Sequence, residues 1–511
     1  MGTVRTEELE IKLELTHEEL ERVASHPALK DLAVGQPVTR RLRSIYFDTP
    51  DHRLRAAGIS LRLRSDGNGW LQTVKAGGGV NNGLSNHTEV ETSVAQPEPD
   101  VQAIGDRKLR RNIEKAVERS VLEPQFETVV TRTTRQLHSS TGDLELALDE
   151  GVVRAGTAEE PLCEAELELK AGSSECLLET AAKLFAKETV RLAQSSKAER
   201  GFTLALGKSD VAIEPRRSEP VELDADQSCG EAFGLIVRSA IVQIEANREA
   251  LLQTDDAEAA HQLRIGLRRL RSALRALRPL NDTPVLHEFE AHARTLARTV
   301  GILRDADVLI EDIYAPVAGA MKDDPGLPRL REAVVAHRAH MRGEVRAALL
   351  GPQWSALQLY LALWPRTIAE IPAFAAPVAE VAIEALDKAW KRVARYGKRL
   401  DGLASEEKHE MRKALKMLRY KAEFFASLYP EKQTRPFLKR AKALQDIFGY
   451  INDVAAAQRL NALCHEGCAD SREAQRAAGY ILGWHTSEAA HRWAGVEAGW
   501  QQLRETARFW R

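Results

Sequence analysis

The sequence predicts an α+β protein in which a strand-rich region precedes an all-helical region. Residues 1–207 contain short segments of alternating polar and apolar residues joined by turns, which is typical of a meander or closed barrel. Residues 229–511 contain long alanine- and leucine-rich stretches at helical spacing. Residues 208–228 hold two prolines and an acidic end, so we interpret them as a linker that leads to a helix.

Composition describes an ordinary globular protein whose two regions differ in charge. Hydrophobic residues make up 44% of the 511 residues, and charged residues make up 29%. Residues 1–207 have 27 Lys and Arg against 33 Asp and Glu, whereas residues 229–511 have 42 against 35. The basic region predicts an anionic partner. Five dispersed cysteines, no signal-like start and no membrane-length apolar run predict a cytoplasmic protein with reduced thiols and no membrane partner.

The first strand carries charges on one face only. In residues 8–12, Glu-Leu-Glu-Ile-Lys, the charged side chains alternate with apolar ones, and residues 164–170 repeat the pattern. A solvated outer face would explain one such strand. Two of them favour an enclosed lumen, where a divalent cation with oxygen ligands would relieve the repulsion between carboxylates.

In other predicted strands, arginine and lysine take the alternate positions, so the basic side chains share one face of the strand. Residues 61–64 carry two arginines on one face, and residues 70–75 end in a lysine. Guanidinium forks grip phosphate oxygens, so a lumen of Arg, Lys and a few Glu suits a polyanion bridged by a metal ion. This reasoning leaves a charged surface sheet open as the alternative for each strand taken alone.

Residues 5–205 resemble the CYTH superfamily, the triphosphate tunnel metalloenzymes. The resemblance rests on Glu-Leu-Glu-Ile-Lys at 8–12, Tyr-Phe-Asp-Thr-Pro at 46–50, and Ser-Lys-Ala-Glu-Arg-Gly at 196–201. It implies an eight-stranded antiparallel tunnel that binds triphosphate with Mg²⁺ or Mn²⁺. It implies metal ligands at Glu8, Glu10, Glu166 and Glu168, with Glu8, Glu10 and Lys12 as catalytic residues. The triphosphate ligands that it implies are Lys12, Arg43, Arg62, Arg64, Lys75, Arg132 and Lys197.

One position departs from the CYTH pattern. Bacterial relatives usually have arginine before the strand that contains Glu89, and this sequence has His87. Histidine is mostly neutral at pH 7, whereas arginine is permanently charged. The departure predicts a weaker or pH-dependent phosphate contact.

The helical region contains two related basic segments. From His261, arginines follow at +3, +7, +10, +14 and +17, which is one face of a helix without an intervening acid. A shift of 148 residues relates His261 to His409, and it also relates Gly301 to Gly449 and Asp305 to Asp453. We therefore predict an internal duplication, with halves at about 229–376 and 377–511, packed as two helical bundles.

This region resembles the CHAD family, an α-helical domain often fused to CYTH. The motifs are His-xx-Arg with Arg-Arg-Leu-Arg at 261–271, Leu-Arg-Asp at 303–305, and His-xx-Arg-Lys at 409–413. The resemblance implies binding of inorganic polyphosphate, and we interpret the histidines as phosphate hydrogen-bond donors rather than metal ligands. The implied polyphosphate ligands are His261, Arg264, Arg268, Arg271, Arg275, His409, Arg412, Lys413, Lys416 and Arg419.

The leading hypothesis is metal-dependent hydrolysis of inorganic triphosphate, or of short polyphosphate, with association to polyphosphate granules through the helical region. One alternative is a polyphosphate-binding protein whose tunnel has lost activity. Adenylate cyclase or thiamine-triphosphatase activity ranks lower, because the sequence lacks evident base-reading aromatics. Nucleic-acid binding is not expected, since the basic stripes have no interleaved aromatics for stacking.

Overall fold

A computed structural model of the chain describes residues 9–67, 69–77, 80–81, 84–85, 88–185, 188, 191–193, 195–207, 214–280, 282–368, 371–468 and 470–511. It divides into two compact units. The first contains the strands and short helices up to residue 207 together with Trp354–Thr367, and the second contains the remaining helices. The expected fold class, an antiparallel sheet followed by a helical region, is confirmed.

The first unit is built on one antiparallel sheet. Its pairing order is β5-β6-β1-β10-β9-β8-β2-β3-β4-β7, and β11 pairs with β1. Eight strands have six or more residues, and three have two. The strands are β1 (Leu9–Glu14), β2 (Ala33–Asp48), β3 (Ile59–Ser65), β4 (Trp70–Ala76), β5 (Val80–Asn81), β6 (Leu84–Ser85), β7 (Thr88–Val94), β8 (Glu123–Ser139), β9 (Gly142–Ala155), β10 (Ala158–Gly172) and β11 (Arg191–Leu192).

The helices described in the first unit pack against this sheet. They are α1 (His17–Ala24), α2 (Leu29–Leu32), α3 (Arg53–Ala56), α4 (Arg107–Val117), α5 (Ser174–Phe185) and α6 (Lys197–Leu206). Leu54 of α3 and Ile113 of α4 pack against Leu61 and Leu63 of β3, and all four side chains are fully or almost fully buried. Because β3 alternates, this packing directs its arginines to the inner face.

The sheet curls, so that distant strands share one interior. Lys12 of β1 contributes to lowering the pKa of Lys75 of β4, although five strands separate β1 from β4 in the pairing order. Arg64 of β3 is likewise influenced by Glu166 of β10. Electrostatic influence of this kind between buried groups requires proximity, so the inner faces of these strands line a common tunnel.

Helix α6 packs through aromatic rings against two strands. Phe202 meets the ring of Phe126 edge-on at 5.1 Å, and Phe126 stacks on Tyr46 at 4.5 Å. Ser196 caps the helix, because its side chain accepts from Glu199 N while the Glu199 carboxylate accepts from Ser196 N. These contacts fix Lys197, the first helical residue, close to the tunnel.

The second unit repeats its helix order. The helices of the later chain are α7 (Cys229–Gln253), α8 (Ala257–Leu277), α9 (Pro284–Val308), α10 (Ala315–Ala320), α11 (Leu327–Leu350), α12 (Pro352–Thr367), α13 (Val378–Gly397), α14 (Ser405–Phe424), α15 (Glu431–Ala456), α16 (Arg459–Gly467), α17 (Arg472–Ala494) and α18 (Val496–Glu505). A π-helix, Leu309–Tyr314, joins α9 to α10. Adding 148 to the bounds of α8 and α9 gives those of α14 and α15 within a residue, as a duplication requires.

None of the helices in the described part of the chain combines the length and the apolar stretch that spanning a membrane demands.

Gly201 lies where α6 packs closely against the Phe126 ring of the sheet. A Cβ at this position would lie 2.0 Å from the Phe126 ring, whereas a Cβ at Gly69 would meet nothing within 4 Å. Alanine normally favours a helix over glycine, yet we expect Gly201→Ala to lower the free energy of unfolding by about 1–3 kcal/mol because of overpacking. Urea unfolding of the full chain, with Gly69→Ala as control, measures this. Equal midpoints for the two variants would contradict the close packing.

Candidate functional site

Carboxylates from three neighbouring strands align on the inner face of the tunnel. Glu10 of β1 lies opposite Glu168 of β10, and Glu168 lies opposite Glu145 of β9. Like charges directly opposite each other destabilise a sheet unless something compensates them. Lys170 pairs with Glu168 at 2.6 Å, and Lys12 Nζ lies 3.0 Å from Glu10 Oε1 without making a hydrogen bond to it.

Glu166 is the most heavily paired carboxylate of the tunnel. Its oxygens accept from Lys12 Nζ at 2.9 Å, Arg132 at 2.6 Å and Lys197 Nζ at 2.9 Å. Burial alone would raise the pKa of Glu166, but these three cations outweigh it and hold the pKa well below its usual range. Arg132 also binds Asp149 through two hydrogen bonds of 2.7 and 2.6 Å.

Lys197 lies among three buried carboxylates. Oxygens of Asp149, Glu164 and Glu166 come within 4.8 Å of one another, which is a spacing that could hold a metal ion. The Lys197 ammonium contacts all three, with Asp149 at 3.0 Å. Burial lowers the pKa of Lys197, yet the three carboxylates raise it overall. Together with Arg132 and Arg200, this lysine already compensates the three carboxylates with cations of the chain itself.

The row that contains Glu10 and Glu168 suits a divalent cation better. Glu10 is 4% exposed, and its Oε1 is buried without a hydrogen-bond partner. Burial raises the pKa of Glu168; Lys170 opposes this rise, and Glu10 and Glu145 add to it. Glu10, Glu145 and Glu168 thus share two lysines, Lys12 and Lys170, and carboxylate oxygens are the ligands that Mg²⁺ and similar hard cations prefer.

Cations on β3 and β4 form a second group, in which burial and mutual repulsion disfavour the charged states of Arg64 and Lys75. Burial and then Arg62 lower the pKa of Arg64 to about 10 and also lower the pKa of Lys75. Glu89 of β7 lies 3.4 Å from Arg62 and 2.8 Å from Lys75, and the Arg62 Nε is buried without a hydrogen-bond partner. An anion that entered here would raise the pKa of both groups toward the usual values.

The structure brings most of the tunnel residues that the sequence predicts together. Lys12, Arg62, Arg64, Lys75, Arg132 and Lys197 converge with Glu10, Glu166 and Glu168. Arg43 does not join them. It extends to the opposite face of β2, is half exposed, and donates to Glu127 at 2.8 Å. Glu8 and His87 lie outside the described residues.

Sequence reasoning missed several residues of the tunnel. Asp149 and Glu164 complete the group around Lys197, and Arg200 binds Glu164 at 3.2 Å. The buried Tyr46 lies among the arginines, since Arg62 and Arg64 lower its pKa although burial would raise it. A signal for Asp149 existed, because it is the acid that ends the otherwise alternating Leu-Glu-Leu-Ala-Leu run of β9.

In the helical unit, α8 and α14 bring four cations together, which we call the central cluster: Arg264, Arg268, Arg412 and Lys416. Arg264 donates to Asp305 at 2.6 Å, and the equivalent Arg412 lies 3.7 Å from Asp453. Burial, followed by Arg268, Arg412 and Arg264, lowers the pKa of Lys416 to about 6. The cluster therefore has more cations than its carboxylates compensate.

The other predicted residues of the helical unit have different surroundings, and among them His261 lies within electrostatic reach of Arg264 and Arg268 of the central cluster. His261 is half-buried, with a pKa lowered by burial and by Arg304, whereas His409 is exposed. Lys413 pairs with Glu410, and Arg419 binds Gln445 and Glu423. Arg271 and Arg275 surround Glu290.

Comparison with known families agrees with this division of the chain. Residues 6–202 match the model of the CYTH domain, and residues 235–462 match the model of the CHAD domain. The CHAD domain from the plant Ricinus communis is similar in structure, with 28% identity and a TM-score of 0.51. It aligns over 58% of this chain and 99% of the plant domain.

Two curated relatives extend the comparison. The inorganic triphosphatase of Haemophilus influenzae is 30% identical over 164 residues, which is 32% of this chain and 46% of that protein. This chain thus aligns with about half the length of that relative. The Mycobacterium tuberculosis protein Rv2226 is 26% identical over 415 residues, which is 76% of this chain and 77% of that protein.

The lowered pKa of Lys416 predicts a pH-dependent stability. Between about pH 6 and the ordinary lysine value of 10.5, the unfolded chain binds a proton at this residue and the folded chain does not. The free energy of unfolding should therefore rise with pH across that window, and Lys416→Met should remove this part of the rise. Urea unfolding near pH 6 and pH 9 measures it, with the half-exposed Lys413→Met as control. Identical slopes for wild type and Lys416→Met would refute the shift.

Proposed function

This chain is a fusion of a CYTH domain and a CHAD domain, and we propose that it hydrolyses inorganic triphosphate, or short polyphosphate, while the helical unit binds inorganic polyphosphate. One observation carries the catalytic half of the proposal. The tunnel brings the buried cations of β3 and β4 into one enclosed space with the row of carboxylates that contains Glu10 and Glu168. A phosphate chain would add negative charge beside these cations, and a divalent metal ion would add positive charge beside the carboxylates.

The metal ion would be held by carboxylates of the tunnel. Glu10 and Glu168 are the first candidates, Glu166 lies on the same face of β10, and Glu8 by its place in the sequence would precede them. Mg²⁺ or Mn²⁺ bound there would polarise a phosphoryl oxygen and lower the pKa of bound water. The other roles in the reaction would belong to the protein's own side chains.

Those side chains bind and orient the phosphates. Arg62 and Arg64 present guanidinium groups to phosphate oxygens, and Lys75 and Lys12 add point charges around them. Such donors are fixed by the sheet before the substrate arrives, so they stabilise the charge that develops on the transferred phosphoryl group. Burial of these groups excludes water and strengthens each of these interactions.

Inside the tunnel, binding would be an exchange of partners. Lys12 now donates to Glu166 at 2.9 Å, and Lys75 pairs with Glu89 at 2.8 Å. A triphosphate would take over these cations as the metal ion takes over carboxylates. Every buried charge then keeps a partner, which removes the penalty of an unpaired buried ion.

The helical unit would bind longer phosphate chains at the central cluster. Its four cations come from both halves of the duplication, and polyphosphate offers an anionic oxygen at each unit of the chain. Binding of an anion there would raise the pKa of Lys416 toward its ordinary value. Attachment to polyphosphate granules and a cytoplasmic location belong to this same proposal.

A substrate panel tests the catalytic half. Phosphate release is measured from tripolyphosphate, pyrophosphate, ATP, thiamine triphosphate and long-chain polyphosphate, each with Mg²⁺ and then with EDTA. We expect metal-dependent release from tripolyphosphate well above that from ATP. Release that is fastest from thiamine triphosphate would instead indicate a thiamine triphosphatase. Formation of pyrophosphate from ATP would indicate an adenylate cyclase. No release from any substrate would leave a binding protein.

Glu10→Gln tests the metal site. The substitution keeps the shape of the side chain and removes its charge, so we expect turnover of tripolyphosphate to fall on the order of 100-fold or more. Glu127→Gln, which alters a carboxylate on the outer face beside Arg43, should keep near-normal turnover. Unchanged turnover in Glu10→Gln, with unchanged thermal unfolding, would show that the metal is held elsewhere.

A further inference from the structure

The two halves of the helical unit differ in charge at equivalent positions. Beyond the central cluster, α8 and α9 carry five arginines, which we call the arginine cluster: Arg271, Arg275, Arg278, Arg294 and Arg298. A shift of 148 residues places other residues at the corresponding positions of the second half, in order Arg419, Glu423, Ala426, Lys442 and Asp446. The two halves of the helical unit therefore share their helices but differ in net charge over these five positions.

The arginine cluster contains more positive charge than its carboxylates compensate. Glu290, with 3% of its side chain exposed, accepts from Arg275 at 2.7 Å and from Arg294 at 3.1 Å. Arg278 approaches both Glu290 and Asp282, and Arg298 lies within electrostatic reach of Arg271, so that among the described residues of this cluster the arginines outnumber the carboxylates that pair with them. The Nε atoms of Arg271 and Arg294 are buried without a hydrogen-bond partner. Burial and Arg275 lower the pKa of Arg271 to about 10.

The five equivalent positions of the second half carry balanced charge. Arg419 donates to Glu423 at 3.1 Å, and Asp446 lies within electrostatic reach of both Lys442 and Arg419. Two cations there match two carboxylates. The carboxylates of Glu423 and Asp446 would repel an approaching anion, so this end lacks the attraction that the first half provides.

The arginine cluster continues the face of α8 that begins in the central cluster. Arg264 and Arg268 precede Arg271, Arg275 and Arg278 at alternating spacings of four and three residues, which keeps them on one side of the helix. From Arg264 to Arg278 this face spans roughly 21 Å at a rise of about 1.5 Å per residue. A long anion can follow it, and a triphosphate cannot contact both ends.

We propose that long-chain polyphosphate leaves the central cluster in one direction only, over the arginine cluster of the first half. The arginine cluster is thus an extended phosphate subsite that favours long chains over tripolyphosphate. The proposal rests on polyphosphate binding by the helical unit, and it adds a direction and a set of residues to that function.

The test compares two double variants of the full-length chain that lose the same charge. Arg275→Gln with Arg298→Gln removes two cations from the first half and leaves Glu290 with three arginine partners. Lys439→Gln with Lys442→Gln removes two exposed cations from the second half. Calorimetric titration with long-chain polyphosphate and with tripolyphosphate, in EDTA and at fixed ionic strength, gives the affinities. Thermal unfolding checks that each variant is folded.

We expect the first-half variant to bind long-chain polyphosphate at least about tenfold more weakly, since each lost charged hydrogen bond is worth more than 1 kcal/mol. Its affinity for tripolyphosphate should not change, and the second-half variant should remain within about twofold of wild type. Equal weakening in both variants, or no weakening in either, would overturn the proposal. A wild-type chain that binds no long-chain polyphosphate would instead defeat the underlying proposed function.

A third variant keeps the proposal testable should the first-half variant fail to fold. Glu423→Gln with Asp446→Asn removes the two carboxylates that neutralise the second half and opens a second direction for the anion. Long-chain polyphosphate should then bind about fivefold more tightly, because a like-charge repulsion is lost. Unchanged or weaker binding would count against the directional path.

Discussion

The need to pair every buried charge constrains the whole first unit. An ion taken out of water costs several kcal/mol unless a partner of opposite charge and good geometry accompanies it. Glu166 meets this requirement with Lys12, Arg132 and Lys197, which come from β1, β8 and α6. One carboxylate therefore ties three separate elements to β10. The curl of the sheet brings Arg132 to Glu166, and the packing of α6 brings Lys197 to the same carboxylate.

The helical unit handles buried charge in another way. Its cations meet across two related helices, and each half contributes one ion pair, Arg264 with Asp305 and Arg412 with Asp453. These two pairs leave Arg268 and Lys416 without a carboxylate of their own, and the lysine responds with a pKa of about 6. When like charges are forced together, loss of the proton from the weaker base, here lysine rather than arginine, reduces the electrostatic repulsion. An anionic ligand would reverse it.

Strand alternation and helical periodicity predicted the fold class and most of the tunnel, because both depend on local spacing alone. They could not predict the register that sets Glu10 against Glu168, since register depends on how strands pair. Arg43 shows the limit of a positional resemblance: in β2 it alternates with Ser44 and extends to the outer face. Trp354–Thr367 joins the first unit from within the helical sequence, and no local pattern foretells such a long-range contact.

The two units offer phosphate physically different environments. In the tunnel, cations and carboxylates are interleaved and buried, so an anion alone would face repulsion from Glu10 and Glu168 and needs a metal ion as counterpart. In the helical unit, the arginines of α8 are partly exposed and outnumber their carboxylates, so an anion meets net attraction without a metal ion. Exposed charges are screened by salt far more than buried ones. Binding to the helices should therefore depend on ionic strength, and binding in the tunnel should depend on the metal ion.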